Sequence, residues 1–366
     1  MKHLLLGDEA IAQGAIDAGL SGVYAYPGTP STEITEYIQL HEAKAAKPSI
    51  FCRWASNEKT AMEAALGMSY MGKRALVCMK HVGMNVCADA FMNAAITGVN
   101  GGLVVVAADD PSMHSSQNEQ DSRFYAKFAM IPCFEPSNQQ EAYEMTQEAF
   151  RLSEELHTPI LLRVTTRMAH SRAVVETTDN TPVQNKMSLP ENVQHFILLP
   201  AFAKKNYAEL VAAQPTFVQK SETSPFNSYV KGTHPERGII TTGIAYNYLM
   251  ENYQPAMGCS ILKVAQYPLP VAFINQMVAD GAKEILVIEE GQPVVEELIR
   301  GLVPSTVAVK GRLTGDLPRM GELTPDSVRL SIGLDALPQH DAELVAAQPT
   351  FVQKSETSPF NSYVKG

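Results

Sequence analysis

The sequence predicts an α/β protein: a doubly wound parallel sheet followed by a smaller α/β domain. Three observations predict it. Short apolar runs are continuous rather than alternating, as strands covered on both faces require. Each run is followed by a segment of helical spacing or small-residue composition, the βαβ pattern. The series occurs twice, separated at 173–236 by a stretch rich in proline, threonine, serine and asparagine.

In order, "KHLLL" (2–6) is a candidate first strand and "GVYAY" (22–26) the next. "STEITEYIQLHEA" (31–43) reads as a helix with Ser31 as its N-cap. "SIFCRW" (49–54) is a strand, and "NEKTAMEAALGMSYMG" (57–72) a helix rich in small residues. "RALVCM" (74–79), "NVCADAFMNAAITG" (85–98) and "GLVVVAA" (102–108) continue as strand, helix and buried strand. After a polar stretch come a helix at 138–157 and the strand "PILLRVT" (159–165). In the second series, strands fall at 237–243, 260–266, 283–290 and 305–311, with helices at 245–253, 270–281 and 293–303. The expected division is a first domain at 1–172, a connecting region at 173–236, a second domain at 237–335 and a tail at 336–366.

Acidic residues outnumber basic ones, 39 to 29, for a net charge of −10. No basic stripe is present, which argues against nucleic acid. No apolar run reaches the roughly 18 residues of a membrane span. The opening "MKHLLLGDEAIAQG" lacks the apolar core of a signal peptide, so a cytoplasmic protein is expected. The five cysteines, at 52, 78, 87, 133 and 259, form no CxxC pair. Clustered thiolate ligation of a metal or iron–sulfur centre is therefore not expected, and neither is a disulfide framework.

Ligands of doubly wound sheets bind at the carboxyl ends of the strands. There "YPGTPSTE" (26–33) offers the Thr29 hydroxyl beside Gly28; a ligand loop and a plain turn into a capped helix both suit it. Glu58 opens a helix whose Ala61, Ala64, Ala65 and Gly67 make a small-residue face. A carboxylate at a helix N-terminus is favoured by the dipole alone. The small face lets another subunit or domain come close. "MKHVGMN" (79–85) sets Lys80 and His81 at a strand end, with Gly83 before a helix whose first amides suit an anion or close a plain loop. The stretch 108–126, without apolar periodicity, carries His114, Gln117, Asn118 and Arg123; such stretches are functional or solvated loops.

Together "YPGTPSTEI", "NEKTAMEAALGMSYMGKRA", "KHVGMNV" and "DDPSMHSSQNEQDSR", in this order and spacing, resemble the thiamine diphosphate-dependent 2-oxoacid ferredoxin oxidoreductases. Within them the likeness is to the α subunits of indolepyruvate ferredoxin oxidoreductase, over about residues 1–335. The resemblance implies a pyrimidine-binding domain at 1–172 and a transketolase-C-like domain at 237–335. It implies that Glu58 is catalytic, hydrogen-bonding the pyrimidine N1′, with Gly83 and Asn85 also on the cofactor. It implies that Thr29, His114 and Arg123 bind substrate. An arginine suits a substrate carboxylate because its fork is bidentate.

The implied activity is oxidative decarboxylation of arylpyruvates, such as indolepyruvate, to acyl-CoA. The implied partners are a 2-oxoacid, coenzyme A, ferredoxin and a second oxidoreductase subunit, in a homo- or hetero-oligomer and most simply a dimer. Full-length relatives continue into a second thiamine domain whose GDG…N motif holds Mg²⁺ and the diphosphate. Here the nearest string, "TGDLPRMGE" (314–322), lacks the second glycine, so no metal ligands are expected. Iron–sulfur clusters are likewise expected only beyond this chain, which resembles a front half. A 2-oxoglutarate or pyruvate enzyme, or a non-catalytic piece that needs a partner chain, remains the alternative.

"AELVAAQPTFVQKSETSPFNSYVKG" occurs at 208–232 and again at 342–366. Two identical copies fit a recent duplication or a broken junction better than a solenoid, which needs at least three. Both copies lack clear periodicity. The second, in the tail, is expected to be poorly ordered and the first better ordered.

Overall fold

The computed structural model describes residues 1–178 and 183–336. The expectation for the copied tail segment at 342–366 lies outside the described residues. Strand β1 (Lys2–Leu6) leads into α1 (Gly7–Asp17), β2 (Gly22–Ala25), α2 (Thr32–Lys44), β3 (Phe51–Trp54) and α3 (Glu58–Tyr70). Then come β4 (Ala75–Lys80), α4 (His81–Thr97), β5 (Leu103–Asp109), α5 (Arg123–Ala129) and β6 (Cys133–Phe134). α6 (Gln139–Leu156), β7 (Ile160–Thr165), α7 (Thr166–His170) and β8 (Arg172–Glu176) follow.

β2 to β7 lie parallel in the order β3-β2-β4-β5-β7-β6. Side chains of the central β5 divide between two apolar clusters: Val104, Val106 and Ala108 enter one, Leu103, Val105 and Ala107 the other. α1, α2 and α6 fill the first cluster, α3 and α4 the second. Both faces are thus covered, which is why these strands read as unbroken apolar runs. β1 exists as expected, but it pairs antiparallel with β8 in a separate ribbon.

After the connecting stretch come α8 (Pro200–Glu222), β9 (Ser228–Val230), β10 (His234–Thr242), α9 (Ala245–Asn252), β11 (Cys259–Val264) and β12 (Gln266–Tyr267). The last described elements are α10 (Val271–Ala279), β13 (Glu284–Ile288), α11 (Val294–Ile299), β14 (Ala308–Lys310) and α12 (Pro325–Ser331). A five-stranded sheet runs β14-β13-β10-β11-β9, parallel except for β9. The fold is α/β with two largely parallel sheets, the second smaller. β12 leaves the second sheet and pairs antiparallel with β6, so the later chain extends the earlier sheet.

The connecting region expected at 173–236 holds the 23-residue α8 and the strand β9. Asn206, Leu210, Phe217 and Ser221 form the buried stripe of α8. Their spacing is helical, but two of the four are polar and Pro215 interrupts them, so no apolar period shows. Helix α4 begins at His81, earlier than the expected 85, because Lys80 already takes the N-cap position. Among the described residues, no helix is long and apolar enough to cross a membrane.

Candidate functional site

The loops after β2, β4 and β5 meet at the carboxyl ends of their strands. Lys80 packs its stem over Gly28, where a Cβ would stand 3.2 Å from Cδ. Its ammonium donates to the Ser115 carbonyl at 3.1 Å, and the Ser115 hydroxyl donates to the Thr29 carbonyl at 3.2 Å. Thr29 is exposed, and its carbonyl is held by the loop after β5, while its hydroxyl takes no part in these bonds. Ser31 sits at the N-cap position of α2, but its hydroxyl turns back to the Gly28 carbonyl at 2.9 Å rather than capping.

Glu58 is the first residue of α3, which Asn57 caps by accepting from the Thr60 amide at 2.9 Å. Its side chain is buried, 8% exposed. Among the described residues its carboxylate has no hydrogen-bond or ion-pair partner. Gly83 lies opposite, inside the first turn of α4 rather than ahead of it. A Cβ there would stand 2.7 Å from Oε1 of Glu58. The structure thus brings Glu58 and Gly83 together. Asn85, two residues on, accepts from the Tyr125 hydroxyl. Cys87 lies below; burial, with Glu58 adding, pushes its thiol up to about 12, so it stays neutral.

The loop after β5 is pinned by Asp110. Its carboxylate accepts from the Ser115 amide at 2.8 Å, the Ser116 hydroxyl at 2.7 Å and the Thr166 hydroxyl at 2.8 Å. Burial pushes its pKa up, but these donors more than offset that and hold it below the ordinary value. His81 is fully buried; its Nε2 lies 3.1 Å from the Asn118 carbonyl and 3.2 Å from its side-chain oxygen, while Nδ1 has no partner. His114 is half exposed and turns to Glu322, 3.5 Å away, on the second domain's last loop.

Arg123 is the most enclosed of the residues that the resemblance implies for substrate. It is 2% exposed, and all three of its nitrogens are taken. Nε and Nη2 grip Asp121 at 2.9 and 2.5 Å, Nη2 also donates to the carbonyls of Glu290 and Gln292, and Nη1 meets Glu289 at 2.9 Å. Beside it Arg163 holds Asp109 at 2.8 Å, Glu135 at 2.5 Å and the Glu290 carbonyl at 3.0 Å. The two arginines tie the end of the β5 loop to the second sheet. Burial pushes Asp121 up, but Arg123 and Arg163 pull it down to about 2. Burial holds Glu289 and Glu290 above the usual carboxylate range. Sequence reasoning missed this network, since Glu135, Arg163 and Glu289 lie far from Arg123 along the chain.

The small-residue face of α3 divides. Ala61 and Ala65 are spent on the chain's own core, while the face at Gly67 is open, with nothing within 4 Å of a built Cβ. "TGDLPRMGE" wraps Arg312, which donates to the carbonyls of Arg319 at 3.2 Å and Gly321 at 2.8 Å. That string is a structural loop here. Glu58, a buried carboxylate without a partner and packed against Gly83, can take the ring nitrogen of a ligand, so the residues present suit the pyrimidine side of thiamine diphosphate.

Residues 13–224 match the family described as pyruvate flavodoxin/ferredoxin oxidoreductase, thiamine diphosphate-binding. The chain is 39% identical over 355 residues to an indolepyruvate oxidoreductase subunit IorA of Methanothermobacter marburgensis, covering 95% of this chain and 57% of that one. It is 40% identical over 309 residues to the IorA subunit of Pyrococcus horikoshii, covering 82% and 47%. The chain spans about half the length of the curated relatives it matches. A 2-oxoglutarate:ferredoxin oxidoreductase from Magnetococcus marinus superposes with a TM-score of 0.72 at 17% identity, covering 90% of this chain and 64% of that one. That last likeness speaks to the fold. The chain belongs to the thiamine diphosphate-binding pyruvate flavodoxin/ferredoxin oxidoreductase family.

Proposed function

We propose that this member of the family serves the oxidative decarboxylation of arylpyruvates, indolepyruvate among them, to acyl-CoA with ferredoxin as acceptor. The observation that carries the reading is the unpartnered Glu58 carboxylate beside Gly83. Thiamine diphosphate, when bound, supplies the carbon nucleophile and the electron sink that the reaction needs. Glu58 is assigned the hydrogen bond to the pyrimidine N1′, holding a proton there. Gly83 keeps the space, and Asn85 lies one helical step further along α4. Thr29 and His114 are assigned to the substrate side.

Arg123 is assigned a positioning role. It fixes the end of the β5 loop, which carries His114 and Asn118, against the second sheet. The diphosphate with its Mg²⁺, and the iron–sulfur clusters, are assigned to another domain or subunit of the complex. This chain alone is then inactive. The arylpyruvate choice draws support from the names of the relatives.

The test is reconstitution with the partner subunit, followed by ferredoxin reduction with indolepyruvate, phenylpyruvate, pyruvate or 2-oxoglutarate plus coenzyme A. Reduction with the aryl substrates is expected. Turnover of 2-oxoglutarate alone overturns the substrate assignment and leaves the cofactor assignment standing. Cofactor binding with wild-type affinity by Glu58→Ala overturns the role of Glu58.

A further inference from the structure

Three elements converge on the side of the first sheet away from Glu58 and Gly83. Gly7, at the start of α1, lies so close to α7 that a Cβ would stand 2.0 Å from the Met168 carbonyl. Its amide donates to the Ser171 carbonyl at 3.2 Å. This contact sets Asp8, on the first turn of α1, beside His170, the last residue of α7. Glu33, on the first turn of α2, closes the group. One ligand atom from each of Asp8, Glu33 and His170 lies within 4.8 Å of the others.

The group is not explained as it stands. Asp8 is 0% exposed, and neither carboxylate oxygen has a hydrogen-bond partner. Glu33 Oε2 and His170 Nε2 are 3.5 Å apart, an ion pair when the imidazole is protonated, and neither atom has another partner. A buried carboxylate is ordinarily paired, hydrogen-bonded or bound to a metal. Here the pairing is absent among the described residues, and a second carboxylate faces the first.

We infer that Asp8, Glu33 and His170 form a binding site for a divalent transition-metal ion of the zinc class. Two carboxylates and a neutral imidazole carry the charge that offsets a dication. Zinc takes such nitrogen and oxygen ligands tetrahedrally at about 2.0–2.2 Å, so atoms sharing one ion lie about 3.3–3.6 Å apart. The Glu33–His170 separation of 3.5 Å already matches that spacing, and the Asp8 oxygen, within 4.8 Å of both, closes by up to about 1.3 Å to bind. The imidazole argues against Mg²⁺ and Ca²⁺, which take oxygen shells. Glu33 and His170 are each about a third exposed, 35% and 34%, giving the ion a path in and a water in the remaining position. The bound ion would clamp α1, α2 and α7 together, and α2 follows directly from the loop that carries Thr29.

The absence of cysteine clustering bears on thiolate sites and is silent about this one. The probes are Zn²⁺ and Co²⁺, added to the untagged full chain after chelation. One retained equivalent of zinc, visible absorption bands with Co²⁺, and a melting temperature raised by Zn²⁺ and lowered again by chelator are expected. Asp8→Asn and His170→Gln should each weaken binding by more than the roughly 10–100-fold that loss of an outer-shell partner costs. If Asp8→Asn does not fold, His170→Gln at its part-exposed position carries the comparison. No uptake of either ion at millimolar concentration overturns the site. So does equal uptake by the Asp8→Asn/His170→Gln double variant, which places the ion elsewhere.

Discussion

Gly83 has no side chain where the carboxylate of Glu58 lies: a Cβ built on it would stand 2.7 Å from both Cγ and Oε1 of Glu58. Two helices that start at the ends of β3 and β4, on either side of β2, thus meet through one carboxylate and one missing methyl. Gly83→Ala has to move Glu58, since the glycine sits in the helix backbone and cannot retreat. Overpacking of this kind costs about 1–3 kcal/mol. A lower melting temperature and weaker thiamine diphosphate binding by the assembled complex are expected. If calorimetry finds both unchanged, the carboxylate has room to move and the contact does not position it.

Glu58→Gln separates chemistry from stability. The side chain keeps its shape but loses the acid. Activity of the reconstituted complex should fall by roughly 10²–10⁴, the usual contribution of general acid–base catalysis. The melting temperature should barely move, because the stabilising interaction lost is a helix-dipole contribution of about 0.3–1 kcal/mol. A rate near that of the unaltered protein assigns the proton to another group.

How much of this was legible follows from where the partners lie. β4 and β5 could be read because burial on both faces forces continuous apolar runs. Glu58 could be read because it opens its own helix and needs no distant residue to be noticed. α8 could not: its buried stripe has Asn206 and Ser221 at its ends with only Leu210 and Phe217 between, and Pro215 stands within it. Arg123 was noticed, but its surroundings were not. Asp121 is two residues away, whereas Glu135, Arg163 and Glu289 reach it only through the packing of the two sheets.

Arg123→Lys is the sharpest test of the positioning role. Lysine offers one point charge where the guanidinium binds Asp121 through two nitrogens and Glu289 through a third. Lysine keeps the charge, so the loss stays below the roughly 3–5 kcal/mol that removing one partner of a buried ion pair costs. The expected result is a melting temperature several degrees lower, together with a loss of kcat as the β5 loop loosens. A raised KM with normal stability and kcat returns Arg123 to direct substrate contact.

The carboxylates around the two arginines give stability a pH dependence. Burial raises Glu290 above its unfolded value, even though Thr165, the Leu323 amide and Arg163 pull the other way. A carboxyl with a raised folded-state pKa contributes stability that is complete below its unfolded value of 4.5 and is lost as pH rises through the folded value. Asp121, held down to about 2, works oppositely: its contribution is complete above 3.8 and is lost only as pH falls toward 2. Glu290→Gln removes the first effect and leaves the second. Its melting temperature, relative to the unaltered protein, should rise as pH climbs above 4.5 and level off once Glu290 has ionised in the folded protein. A difference that stays flat across that range shows that Glu290 does not change charge there.

Asn227 decides how the segment 208–232 folds. Its side-chain oxygen accepts from the amides of Ala265 at 2.7 Å and Gln266 at 2.9 Å, and its amide donates to the carbonyls of Ser221 and Gln266, both at 2.9 Å. One side chain thus joins the end of α8 to the turn between β11 and β12, and β9 then pairs with β11 through Ile261, Leu262 and Lys263. None of these partners lies inside the segment except Ser221, so local propensity does not fix the structure. Asn227→Ala orphans two buried amides, at about 1–3 kcal/mol each. A melting temperature several degrees lower is expected, with faster amide exchange at Ser228–Val230. The Phe217→Ala change should reach a similar loss by leaving a cavity, typically about 3–5 kcal/mol, without speeding exchange in β9 to the same degree. Equal protection of β9 in Asn227→Ala and the unaltered protein means that the strand pairing alone holds the segment, and that its repeated letters carry their own fold.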